Sequence, residues 1–231
     1  MLEQYSLTLA IIALLSAAVF IFGLVLLARM LRRQNEIIGE LGNVGVLLIS
    51  GGNLLNAIGK LVAATNGHES GWLNNSLLFL SAPGFVCLAW ALWQAGHPDQ
   101  ALAQASRNNS TARTAGSVWL FPLFFNGGLL ALTVALKMVK GGQTWLKLLL
   151  LVTTVASIAA FVQLAQAALR LQSQFFAGLF ILSLGMSLAM TLRGNDGTLA
   201  AEWAQQISNL LSRSLLAFSV FKLLRLAAGQ R

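Results

Sequence analysis

Charge is what this sequence has least of. Charged residues make up 10% of the 231 positions, against roughly a quarter in an ordinary water-soluble domain. So few charges cannot cover the surface of a soluble protein of this size, whereas apolar side chains can face hydrocarbon without loss. There is one cysteine, Cys87, inside an apolar run. That excludes an intramolecular disulfide and reads as an inert packed thiol. Histidine occurs twice, as His68 and His97, both in connecting stretches. Haem and zinc sites therefore lack their usual donors, and neither a metal nor another cofactor is expected. The apolar segments hold no histidine, no aspartate and no carboxylate pair. General acid–base and metal chemistry lack their groups there, so an enzyme is not expected.

Apolar sequence dominates instead: 57% of residues are hydrophobic. It falls into seven segments, 5–29, 38–64, 72–95, 117–138, 144–170, 174–192 and 199–227, each near the roughly 20 residues that cross a bilayer as a helix. Polar, turn-rich punctuation separates them, for example Arg32-Arg33-Gln34-Asn35 and Arg193-Gly194-Asn195-Asp196-Gly197. The pattern predicts an all-α, polytopic membrane protein, a single bundle of about seven transmembrane helices over residues 1–231. The longest connection, His97 to Gly116, has room for a short surface helix around Asp99 to Ala105. Trp72, Trp119, Trp145 and Trp203 fall near segment starts, where amphipathic rings prefer the headgroup level.

The formal net charge is +8. The basic residues sit mostly at the ends of apolar segments, with no basic run interleaved with aromatics, so nucleic acid is not an expected partner. The lipid bilayer is. Glu3 precedes the first apolar core and Arg29, Arg32 and Arg33 follow it. That is the pattern of a retained first helix with its N-terminus outside, not of a signal peptide. With that orientation the inner side receives nine basic residues and the outer side five (Lys60, Lys137, Lys140, Lys147 and Arg193). The bias favours N-terminus out and C-terminus in. Compactness points to a bacterial cytoplasmic membrane as the location.

Three stretches look alike. Gly51-Gly52-Asn53-Leu54-Leu55 is followed by Lys60 and Trp72. Gly127-Gly128-Leu129-Leu130 is followed by Lys137 and Trp145. Leu184-Gly185-Met186 is followed by Arg193 and Trp203. If this is a true repeat, the plan is one helix followed by three hairpins. Small packing residues and interfacial anchors are needed by any membrane hairpin, so convergence explains the match equally well.

Polar side chains inside the spans are the informative positions, because helical backbone satisfies itself in lipid. The second segment places Asn53, Asn56 and Lys60 on one side, beside Gly45, Gly52 and Gly59. The fourth places Asn126, Thr133 and Lys137 on one stripe. The sixth spaces Ser183, Ser187 and Thr191 by four residues, as a small-residue packing face does. The last segment carries the sharpest feature: Glu202, Gln205, Gln206, Asn209, Ser212 and Arg213 share one helical stripe. Arg213 falls near mid-helix, where an isolated arginine costs at least a few kcal/mol unless it faces protein or water. Asn53, Asn56 or a bound anion are its expected partners. The alternative is that residues 199–209 project above the membrane as an amphipathic extension, with Arg213 snorkelling to the headgroups.

Seven helices with an outer N-terminus are also the plan of retinal proteins. Here Lys222 lies near the inner boundary of the last segment, and the third segment offers no carboxylate as counter-ion, so that resemblance is not adopted. Three functions remain as expectations. The first is a small-molecule transporter, channel or receptor-like protein with a polar intramembrane site at Arg213, Asn209, Asn53, Asn56, Asn126 and Glu202. The second is a non-catalytic membrane subunit or scaffold that docks a partner protein or self-associates. The third is a membrane sensor without a signalling domain of its own.

Overall fold

A computed structural model of the chain describes residues 6–66, 71–97, 111–140, 142–193 and 198–229. The stretch expected to hold a short surface helix, Asp99 to Ala105, lies outside the described residues. Seven helices follow in chain order: α1 Leu7–Gln34, α2 Glu36–Asn66, α3 Gly71–Gly96, α4 Thr111–Lys140, α5 Thr144–Arg170, α6 Gln174–Arg193 and α7 Leu199–Gly229. Six of them are long and apolar enough to cross a membrane, and α6 adds a shorter apolar stretch, Gln174–Met190. These are the dimensions of a multi-pass membrane protein.

Several helices outrun their apolar segments. α1 continues through Arg32 and Arg33 to Gln34, and α4 begins at Thr111 rather than near residue 117. Hydropathy marks only the stretch matched to hydrocarbon, whereas the i→i−4 ladder carries on wherever backbone permits.

The turn between α1 and α2 is one residue, Asn35. Its backbone N–H donates to the Leu31 carbonyl at 3.1 Å, closing α1. Its side-chain Oδ1 accepts from the amides of Ile37 at 2.9 Å and Ile38 at 3.3 Å, capping α2. Such a short link forces α1 and α2 to lie antiparallel. The α5–α6 turn is nearly as tight, with Gln172 at φ 55° taking the left-handed conformation that ends α5. We name the two ends of the bundle the Asn35 face and the Leu199 face.

Packing closes six helices into a ring in the order α1, α2, α3, α5, α6, α7 and back to α1. α4 stands outside it, against α3 and α5. The three stretches alike in sequence therefore do not yield three equivalent hairpins: α2–α3 and α6–α7 are ring neighbours, but α4 is displaced and α5 packs on α3 in its place. The α2–α3 seam is a close crossing. A Cβ at Gly45 would lie 2.8 Å from the Gly84 carbonyl oxygen, and one at Gly84 would lie 2.9 Å from the Gly45 carbonyl oxygen. Only hydrogen fits at either position, so the two backbones cross in direct contact.

α4 is held by a device legible in hindsight. Pro122 has no N–H, so the carbonyl four residues earlier, Val118, loses its helical donor. The indole Nε1 of Trp90 in α3 donates to that carbonyl at 2.9 Å, and its ring stacks on Phe121 at 4.5 Å. Replacing Trp90 with Phe is expected to leave the Val118 carbonyl unsatisfied, costing about 1–3 kcal/mol. Pro122→Ala restores a local N–H, so the double variant should recover most of that loss in a double-mutant cycle of melting temperatures. Strict additivity of the two changes would contradict this account.

A small buried apolar cluster, Ala82, Leu129 and Leu149, joins α3, α4 and α5 toward the Leu199 face. The larger cluster occupies Phe20–Leu31 of α1, Ile38–Ile49 of α2, Cys87–Leu92 of α3, Ala160–Ala168 of α5, Ala177–Leu184 of α6 and Leu216–Leu223 of α7. Every one of these stretches lies in the half nearer the Asn35 face. The other half of the ring is where the polar residues gather.

Candidate functional site

The hollow half holds a cavity of about 410 Å³. All six ring helices line it and α4 does not. Register along each helix places its parts. Phe85 lies four residues beyond Ser81 in α3, and Phe161 four beyond Ser157 in α5, a rise of about 6 Å toward the Asn35 face. Phe20, Phe85, Phe161 and Leu216 therefore make an apolar floor. Leu77, Leu150, Met190 and Gln205 line the end toward the Leu199 face. Between floor and mouth sits a polar belt at mid-bundle depth.

Arg213 dominates that belt. One Nη donates to Asn53 Oδ1 at 2.7 Å and the other to Ser16 Oγ at 3.1 Å. The guanidinium also lies over the Phe20 ring, 4.9 Å from its centroid. α2 and α7 flank α1 on either side, so Arg213 reaches across α1 to join them. Asn53 is itself fixed, because its Nδ2 donates to the Ile49 carbonyl at 2.9 Å. That bond turns its oxygen toward the arginine. A guanidinium carries five N–H donors; two are used, and no acidic residue lines the cavity among the described residues. The belt therefore has one positive charge and no countercharge of its own.

The other polar lining groups divide into engaged and available. On α5 the hydroxyls of Thr153, Thr154 and Ser157 donate to carbonyls of their own helix at 2.7–2.9 Å. Across α6 and α7, Ser183 and Ser212 exchange hydroxyl-to-carbonyl bonds at 2.8 Å, and Ser187 joins the Ser212 hydroxyl at 2.9 Å. Ser81 differs: it is 2% exposed, and its Oγ has no hydrogen-bond partner. Gln205 and Asn209 occupy the same α7 face as Arg213, at steps of four residues from mouth to belt.

The residues expected from sequence to share one site separate in the fold. Arg213, Asn53 and Asn209 line the central cavity. Asn56 is partly buried on α2 but is not among the lining residues. Glu202 lies outside the lining and pairs with Lys60 of α2 at 3.9 Å, tying α7 to α2 at the Leu199 end. Asn126 sits on α4, outside the ring, where its Nδ2 approaches the Pro83 carbonyl at 3.4 Å and Cys87 Sγ at 3.5 Å. Depth along a helix is readable from sequence; direction around the bundle is not, and that is why Asn126 was grouped with the others. Ser16 and Ser81 were missed as members. Each is a serine set among apolar residues, indistinguishable by pattern from a packing residue.

A smaller cavity of about 220 Å³ lies at the Asn35 face, lined by Gln34, Gly96, Gln163 and Arg170 over an apolar base of Leu31, Leu92 and Leu223. Arg170 Nη1 donates to the Gly96 carbonyl at 2.6 Å. Leu27, Leu88, Leu164 and Val220 fill the space between the two cavities and are almost fully buried. From Leu216 to Leu223 this plug is seven residues deep, about 10 Å. Among the described residues no cluster of side chains could hold a metal ion. Comparison with protein-family models, with curated proteins and with solved structures gives no match.

Proposed function

We propose that this protein is a transporter, channel or receptor-like membrane protein that binds a small anionic molecule at Arg213. One observation carries the reading: a ring of six helices lines a ligand-sized cavity in which, among the described residues, Arg213 is the one charged group and has no acidic partner. Charge in the middle of a membrane is kept where it does something, and a guanidinium with donors to spare is built for an oxyanion. The ligand enters from the Leu199 face, because the lining runs that way while the opposite half is packed. On the positive-inside count this face is the outer one, with the N-terminus out and the C-terminus in, in a bacterial cytoplasmic membrane.

Cysteine accessibility tests it. In a Cys87→Ala background, Gln205→Cys, Asn209→Cys and Ser81→Cys are expected to react with a charged, membrane-impermeant thiol reagent applied from the Leu199 side alone. Leu164→Cys and Val220→Cys should stay unlabelled from both sides. No reaction at any of the three lining positions would mean a dry bundle and would remove the proposal. Labelling from the cytoplasmic side alone would invert the assigned orientation.

A second reading, a non-catalytic subunit or scaffold, draws on α4. Its outward surface carries Leu123, Phe124 and Val139, all widely exposed, and a Cβ added at Gly127 or Gly128 would meet nothing within 4 Å. Open glycines on a lipid-facing helix suit a second helix docking there. A stoichiometric partner or a symmetric oligomer on purification in mild detergent supports this reading; a monomer opposes it.

A further inference from the structure

We infer that the molecule held at Arg213 is an amphipathic monoanion: a carboxylate with a compact apolar body, its head in the polar belt and its body on the phenylalanine floor. The inference rests on reading the cavity as a ligand site, and it adds the ligand's charge, its shape and the residues that divide the work.

The charge follows from counting. Among the described residues, Arg213 is the single charged residue of the lining. On α2, toward the mouth, Lys60 is paired with Glu202. A dianion such as sulfate would bring a second negative charge to a place with one positive charge, leaving a buried charge uncompensated. A monoanion balances the site.

Head-group chemistry follows from the donors. Arg213 retains N–H groups beyond those given to Asn53 and Ser16. Ser81 contributes a buried hydroxyl without a partner in the protein. A buried hydroxyl in an apolar helix normally returns to its own backbone, as Thr153 and Ser157 do. Ser81, Ser50 and Ser219 do not, and of these three Ser81 lines the same cavity as the guanidinium. A planar guanidinium and a second donor lining the same cavity match the two oxygens of a carboxylate.

The body follows from the floor. Phe20, Phe85, Phe161 and Leu216 close the deep end. A small hydrophilic anion would leave them facing water, whereas an aromatic or short aliphatic group would bury them, at roughly 25 cal/mol per Å² of apolar surface.

The experiment uses the full chain in lipid nanodiscs and measures binding by calorimetric titration with benzoate, hexanoate, acetate, sulfate and the neutral benzamide. Benzoate and hexanoate are expected to bind at least tenfold more tightly than acetate, sulfate or benzamide. Arg213→Gln should remove benzoate binding, and Phe161→Ala should weaken benzoate while leaving acetate unchanged. Ser81→Ala guards against a folding artefact: its hydroxyl has no protein partner to lose, so the melting temperature should hold while benzoate affinity falls about tenfold. Arg213-dependent binding of acetate or sulfate as tight as that of benzoate would overturn the amphipathic monoanion and leave the anion site standing. Unchanged benzoate affinity in Ser81→Ala would overturn the head-group assignment. Binding of no anion to the wild-type chain, or binding indifferent to Arg213, would overturn this inference and the functional reading together.

Discussion

Leucine in place of Arg213 is expected to abolish anion binding without harming insertion. Truncating one partner of a buried charge pair costs about 2–5 kcal/mol, which is roughly 30-fold or more in affinity. Insertion should move the other way. An arginine at the centre of a spanning helix opposes membrane entry by about 2.5–3.5 kcal/mol, whereas leucine favours it slightly. The two readouts therefore diverge: calorimetry with benzoate should show no binding, while protease protection of α7 in membranes should match or exceed the wild type. The substitution also strands Asn53 Oδ1 and Ser16 Oγ, so some loss of melting temperature is expected whatever the role of the arginine, and the binding readout decides. Wild-type affinity in the leucine variant would refute the role given to this residue.

The largest effect on stability is expected at the α2–α3 crossing. In Gly45→Val the new Cβ would sit 2.8 Å from the Gly84 carbonyl oxygen and 2.9 Å from the Leu88 amide nitrogen. Both are backbone atoms, so no rotamer change relieves the overlap and the helices must separate. Overpacking typically costs about 1–3 kcal/mol, and a backbone collision belongs at or above the top of that range. Gly51→Ala provides the matched control, because its nearest neighbour would be the Leu80 Cδ1 at 3.8 Å, an ordinary contact. Thermal unfolding in detergent should show a steep loss for the first and almost none for the second. Asn53 is on the same helix, two turns on, so Gly45→Val should also weaken the anion site by pulling Asn53 from Arg213. A melting temperature equal to that of Gly51→Ala would show that the seam is not a close crossing.

The helices were legible because twenty-odd apolar residues in a row have few other fates. Arg213 was legible for the converse reason: one guanidinium in such a stretch needs a partner, and Asn53, also at mid-helix, was a natural one. What could not be read was the arrangement around the bundle. Sequence places Asn126 and Asn53 at comparable depth, yet one lies between α3 and α4 and the other faces the cavity. Ring order comes from which faces pack closely, and that depends on surface shape summed over many weak contacts. The displacement of α4 has no signature in hydropathy, because a helix facing lipid on most sides and one facing protein are equally apolar. Glu202 is a related case: it belongs to the polar stripe, but its pairing with Lys60 depends on how α2 and α7 are placed around the bundle. The unpartnered Ser81 hydroxyl was beyond sequence altogether, since most serines in such helices bond back to their own turn.

The packed plug gives the protein an electrical asymmetry. Water filling the mouth would carry the potential of the Leu199 side down to the Arg213 belt, so nearly the whole transmembrane voltage would fall across the roughly 10 Å between Leu216 and Leu223. An anion arriving at the belt would then cross little of the field, and its occupancy would barely respond to polarisation. Any step past the plug would carry the full load, about 2.3 kcal/mol per elementary charge for each 100 mV. Steady-state currents, if the protein conducts or carries, would therefore be steeply voltage-dependent while equilibrium occupancy stays flat.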